Sequence, residues 1–228
     1  MNKSGLAIDT VFSLGPVAIS TTVVTTWFIM ICLALFSIMI NYRLKPVPDR
    51  IQIIAEGAIG AINAAVQEAA PGYAQRIMPF IGSIWIFLVI ANLIGLVPGL
   101  HSPTRDLSAT AALAIMVFLS VHWFGIRSQG LKNYLRHYLT PSPILLPFHI
   151  ISEITRTVAL AIRLFGNMMS LEMAAILILL VAGFLAPIPI LMLHIIEALV
   201  QAYIFGMLAL IYVAGGLQSQ QNRQQKDT

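Results

Sequence analysis

From residue 19 to residue 42 the chain runs without a single charged side chain. A helix needs about 20 mostly apolar residues to cross the roughly 30 Å of hydrocarbon in a bilayer. No water inside that slab can satisfy the backbone, so such a segment must close its own hydrogen bonds as a helix. Four later stretches meet the same condition, at about 77–100, 107–126, 143–184, and from the Pro187/Pro189 pair to about 217. Only 10% of the 228 residues are charged and 58% are hydrophobic, whereas soluble domains carry about a quarter charged residues. The expected fold is an all-α membrane protein: a single integral-membrane domain over residues 1–228 with about five membrane-embedded helices.

Charge in the connections predicts the orientation. Residues 43–76 hold Arg43, Lys45, Arg50 and Arg76, residues 127–142 hold Arg127, Lys132 and Arg136, and the C-terminal tail holds Arg223 and Lys226. The opposite side has Lys3 and Arg105. Nine basic residues against two put the N-terminus outside and the C-terminus in the cytoplasm by the positive-inside rule. The other two of the thirteen, Arg156 and Arg163, lie inside the fourth apolar segment. The net charge of +4 is therefore read through topology rather than as a nucleic-acid footprint. Residues 1–18, with Asp9, Gly15 and Pro16 and no continuous apolar core, read as a short retained tail rather than a signal peptide. The single cysteine, Cys32, excludes a disulfide or zinc framework. On the cytoplasmic side, residues 46–70 are expected to form an amphipathic surface helix. Ile51, Ile54, Ala58, Ile62 and Val66 fall at helical spacing, with Asp49, Gln52, Glu56, Asn63 and Gln67 between them. Pro46 and Pro48 open that helix and Pro71-Gly72 closes it.

The fourth segment, at about 40 residues, would make a helix roughly 60 Å long, twice the hydrocarbon thickness, so it must tilt steeply, bend or break. The fifth is also overlong, and the two should form a steeply slanted antiparallel hairpin. Polar groups are set into this hairpin. Arg156, Arg163 and Asn167 are spaced seven and four residues apart and share a helix face. Glu153, three residues before Arg156, can pair with it. Arg163 has no carboxylate three or four positions away, and Glu172, nine residues on, is turned half a revolution from it. An ionised group at bilayer depth costs roughly 3 to over 10 kcal/mol, and arginine cannot shed its proton to escape that cost. Such a group either snorkels to the interface, pairs with Glu197 of the next helix, or is there for function. On the fifth segment His194, Glu197 and Gln201 recur at three and four residues, followed by Tyr203 and Tyr212, and Glu172 can join them. These groups read either as stepping stones for a proton or ion, or as a hydrogen-bonded clamp between helices.

No GxSxG, HExxH, CxxC or P-loop is present. His101, His122, His137 and His149 are scattered over different segments, so no enzymatic activity, cofactor or metal is expected. A self-contained secondary transporter would use Arg163 and the carboxylates as a substrate site, yet five unequal segments show no inverted repeat. A structural membrane scaffold leaves the ionisable stripe unexplained.

The stretches ITRTVALAIRLFGNMM at 154–169 and HIIEALVQAYIFGMLALIY at 194–212 carry a resemblance, together with NLIGLVPG at 92–99 and Pro46, Pro48, Gln52 and Glu56. Over nearly its whole length the chain resembles subunit a of the F-type ATP synthases. The resemblance implies a non-catalytic stator subunit of the Fo sector. Such a subunit provides two offset half-channels that carry protons to and from the c-ring, coupled to ATP synthesis or hydrolysis, with a Na⁺-translocating version as the alternative. Arg163 would be the stator arginine facing the ring, Asn167 the asparagine beside it, and Gln201 the fifth-helix glutamine close to it. Glu172, His194 and Glu197 would line the half-channel open to the periplasm, with Glu153 and Arg156 as supporting polar residues. The implied partners are the c-ring, the subunit b peripheral stalk and the lipid bilayer, in a bacterial plasma (inner) membrane. Three positions depart from the family's pattern: Thr157, where proline is frequent, Leu171, where a small residue is common, and Ala159, where serine is common. They bear on the bend of the fourth helix and on the channel lining.

Overall fold

A computed structural model describes residues 10–14, 17–42, 44, 48–97, 100–130, 146–182 and 188–224. Two short strands, β1 (Thr10–Leu14) and β2 (Val17–Ser20), pair antiparallel at the start. There follow α1 (Thr21–Tyr42), α2 (Arg50–Ala69) and α3 (Ala74–Leu93). Two 3₁₀ turns, Ile94–Leu96 and Pro103–Arg105, lead into α4 (Leu107–Gln129). The chain ends in α5 (Leu146–Ala182) and α6 (Ile188–Gln224), each of 37 residues. Among the described residues, five stretches are long and apolar enough to cross a membrane: Thr21–Tyr42, Ala74–Leu96, Leu107–Arg127, Pro147–Val181 and Ile188–Gly215. This is an all-α, multi-pass membrane architecture preceded by one β-hairpin.

The hairpin, within and just beyond the segment read as a short tail, was not anticipated from the sequence. Its strands carry β-branched and aromatic residues that suit an extended chain, a weaker signal than hydropathy. The fourth segment neither breaks nor interrupts its helix: α5 is continuous, and at 1.5 Å per residue it is roughly 55 Å long. The fifth helix outruns its apolar stretch, continuing to Gln224 rather than stopping near residue 217. Apolarity marks only the part of a helix that meets lipid, and the glutamines and arginine that follow are good helix formers.

Small residues on α6 bring the helices together. Ala198, Ala202, Gly206 and Ala209 recur on the face turned inward, and small side chains allow close approach where lipid supplies no hydrophobic drive between helices. Ile77, Ile81, Ile84, Trp85 and Leu88 of α3 share one buried cluster with Phe205 and Leu210 of α6 and with Leu164 and Met168 of α5. Val66 of α2 and Val117 of α4 complete that core. Most of α1 remains exposed, with only Thr25 and Ile29 buried. Its Thr25 and Thr26 hydroxyls donate to the Thr21 and Thr22 carbonyls at 2.9 and 2.8 Å, which satisfies them within the helix. Of the apolar face expected on α2, Val66 is buried and Ile62 meets the core, while Ile51, Ile54 and Ala58 are exposed.

The ends of α4 are closed locally. Asp106 accepts the Ser108 N–H at 2.9 Å, satisfying a backbone donor that the first turn leaves unpaired. At the other end Gly130 takes φ +80° while its N–H donates to the Ile126 carbonyl at 2.7 Å, a conformation that a Cβ would strain.

Candidate functional site

Two contacts establish how α5 and α6 run past one another. Asn167 Nδ2 donates to Gln201 Oε1 at 2.8 Å, and the Arg156 guanidinium carbon lies 4.6 Å from the centre of the Tyr212 ring. Eleven residues backward along α5 match eleven forward along α6, so the helices are antiparallel, and Glu172 comes level with His194 and Glu197.

One flank of α5 is buried, through Leu160, Ala161, Leu164, Met168 and Leu171. Arg156 and Arg163 lie on the exposed remainder. Among the described residues Arg163 makes neither a hydrogen bond nor an ion pair, with Glu197 or any other group. One turn on, Asn167 is held by Gln201, which is only 2% exposed and whose Nε2 has no partner.

A polar cluster lies on the α3–α4 connection, beyond Arg163 towards Glu172. Arg105 Nη1 donates to Glu172 Oε1 at 2.6 Å, and His101 Nδ1 lies 2.8 Å from the same oxygen. The same connection reaches α6 by another route. The Thr104 hydroxyl donates to Asn92 Oδ1 at 2.8 Å, and Asn92 Nδ2 donates to the Ala198 carbonyl at 3.1 Å. His194 Nε2 lies 3.4 Å from the Asn92 carbonyl, a contact that only an N–H can make. The Ser102 hydroxyl donates to the Ala91 carbonyl at 2.7 Å. Asn92, Ser102, Thr104 and His194 are all buried, and each has a partner, as low-dielectric surroundings demand.

A second cluster lies towards the other end of α5. Glu153 Oε2 is 3.8 Å from His122 Nε2 on α4, and Arg156 stacks on Tyr212 instead of pairing with Glu153. Glu153 and Glu172 stand ten and nine residues to either side of Arg163, or roughly 15 and 14 Å along the axis. Polar groups thus gather at both ends of the hairpin, with a cation between them that is unpaired among the described residues.

Of the residues singled out in the sequence, the fold joins Asn167 to Gln201. It ties Glu172 to Arg105 and His101, and His194 to Asn92. Glu197 is half-buried and has no partner among the described residues. Sequence reasoning gave no site role to His101, Arg105, Asn92, Ser102 or Thr104. An amide inside an apolar run, at Asn92, was the one signal available for them. Among the described residues no group of three or more His, Cys, Asp or Glu side chains is arranged to hold a metal ion.

The sequence pattern of the family described as ATP synthase A chain matches residues 23–214. Three relatives are similar over most or all of their length. ATP synthase subunit a 2 of Pelobacter propionicus is 63% identical over 212 residues, 93% of each chain. ATP synthase subunit a 1 of Hahella chejuensis is 64% identical over 95% of this chain and 92% of its own. ATP synthase subunit a of Legionella pneumophila (strain Paris) is 53% identical over the full length of both.

Proposed function

The chain belongs to the ATP synthase A chain family, and from that premise we propose that it is the stationary, non-catalytic ion-conducting subunit of the Fo sector. In this reading it stands in a bacterial inner membrane with its N-terminus outside and its C-terminus in the cytoplasm. It provides two offset half-channels that meet a rotating c-ring at Arg163, and the subunit b stalk holds it still. The observation that carries the reading is the exposed Arg163, unpaired among the described residues of its own chain, midway along an apolar helix. A guanidinium there costs several kcal/mol in lipid and cannot be neutralised. A carboxylate presented by another chain removes that cost, and a ring of identical subunits presents one repeatedly.

The polar groups then divide the work. Protons reach the ring from outside by way of Glu172, His194 and Glu197, and each neutralises a ring carboxylate, which can then turn into lipid. When a protonated carboxylate returns to Arg163, the fixed positive charge favours its ionised form, and the proton leaves towards the cytoplasm past Glu153 and Arg156. Asn167 and Gln201, bonded to each other, brace the two helices one turn from the arginine. The same cation repels a proton or metal ion passing straight from one half-channel to the other. Each charge crossing 100 mV supplies about 2.3 kcal/mol, so several crossings are needed for each ATP made elsewhere in the complex.

Arg163→Ala tests this directly. The complex is expected to assemble, while ATP synthesis driven by an ion gradient and ATP-driven pumping are both lost in reconstituted vesicles. Ion-driven synthesis at the wild-type rate would overturn the proposal.

A further inference from the structure

The α3–α4 connection carries a histidine whose geometry the half-channel reading leaves unused. The His101 side chain is 50% exposed, yet its Nδ1 lies 2.8 Å from Glu172 Oε1, on a carboxylate that is itself only 17% exposed. One ring nitrogen therefore faces inward to the carboxylate while the ring remains open to the surroundings. Arg105 Nη1 reaches the same carboxylate oxygen at 2.6 Å, which pins Glu172 beside the imidazole. We propose that His101 is the outermost proton-relay residue of the inlet, handing protons from external water to Glu172, and that Arg105 is the positioning residue that holds the pair together.

This rests on the half-channel reading above and adds a donor to it. In the starting arrangement Nδ1–H donates to the Glu172 carboxylate, and Nε2, without a partner among the described residues, accepts. A proton from external water binds Nε2, and the imidazolium passes its Nδ1 hydrogen to Oε1. The result is a carboxylic acid and a neutral imidazole protonated on Nε2. Glu172 then releases that proton inward and is again a carboxylate, and the half-exposed ring regains its starting tautomer by exchanging hydrogens with water. Imidazole suits the task because its two nitrogens take up and release protons near neutral pH. Level with the cluster are Asp106 at the head of α4, whose carboxylate accepts the Ser108 N–H, and His194 and Glu197 on α6, while His122 and Arg127 of α4 and His149, Glu153, Arg156 and Arg163 of α5 lie further along their helices. None of these touches His101 among the described residues.

The test uses the assembled membrane sector, c-ring included, in vesicles, with potential-driven proton flux as the readout. His101→Gln retains a side chain able to donate to Glu172 but cannot pass a proton. It is expected to lower flux roughly tenfold, less than the 10²–10⁴ typical of a lost acid–base group because water carries part of the current. Imidazole added on the side bearing residue 101 should restore most of the flux, and it should fail to do so in His101→Gln/Glu172→Gln, where the receiver is gone. Arg105→Lys should conduct better than Arg105→Gln. Wild-type flux in His101→Gln, or a loss that imidazole does not relieve, would overturn the proposal, as would a wild-type current carried by Na⁺ rather than protons. If His101→Gln fails to assemble, His101→Ala makes the same distinction. The half-channel reading fails separately, through the Arg163→Ala outcome.

Discussion

Replacing Gly206 with alanine adds one methyl group where α6 passes against Trp85 of α3. A Cβ there would fall 2.7 Å from Cδ2 of Trp85 and 2.9 Å from both Cε2 and Cγ. Comfortable carbon contacts are about 3.5–4.0 Å, so the ring or the helix must retreat by about 1 Å. The indole has little room to do so, being 8% exposed and 5.6 Å, centre to centre, from the Tyr203 ring. Overpacking costs about 1–3 kcal/mol, and the upper half of that range is expected because the obstacle is a rigid ring. Gly215 is the control, since a Cβ there meets nothing within 4 Å. Alanine at that position should be neutral or stabilising by up to about 1 kcal/mol, the helix-propensity difference. The assay is the midpoint of heat-induced loss of this subunit from the detergent-solubilised complex. A lower midpoint for Gly206→Ala is expected, partly recovered in Trp85→Leu/Gly206→Ala with a coupling of about 1 kcal/mol. The displacement should also reach the Asn167–Gln201 contact, little more than a turn away, and slow ion flux. An unchanged midpoint, or a loss that the smaller residue at 85 does not relieve, would refute the packing argument.

Asn92→Leu removes a buried amide that bonds both the Ala198 carbonyl and the Thr104 hydroxyl. Interhelical hydrogen bonds in bilayers average about 0.6 kcal/mol, so the same midpoint should fall by the equivalent of about 1–2 kcal/mol. Single substitutions of Glu172, His194 or Glu197 should slow proton flux into vesicles without abolishing it, because water bypasses one lost step. Removing all three should stop the flux, and unchanged flux in the triple variant would mean that the inlet lies elsewhere.

Hydropathy is a one-dimensional property, which is why the five spans were legible. A run such as 21–42 must become a helix whatever it later packs against, and only Ile19 and Ser20 of the expected span went to the strand before it. The helical period also put Arg163 and Asn167 on one face, and His194, Glu197 and Gln201 on another, without reference to any partner. The β-hairpin and the polar end of α6 were missed because neither is announced by apolarity. Glu172 was expected beside His194 and Glu197. The register of the hairpin does bring it level with them, yet its own contacts are His101 and Arg105, 71 and 67 residues earlier.

That difference has a single physical origin. The covalent order of residues dictates helix length, helix face and the presence of a cation that lipid will not tolerate alone, since each depends on near neighbours and on the solvent around the chain. Which carboxylate meets which imidazole, and which amide is left bonded to which carbonyl, depends on how closely separate helices approach. In this molecule that approach is governed by small residues such as Gly206 facing Trp85, and by a connection folded back across two helices. Those distances came into being only when the helices were assembled side by side.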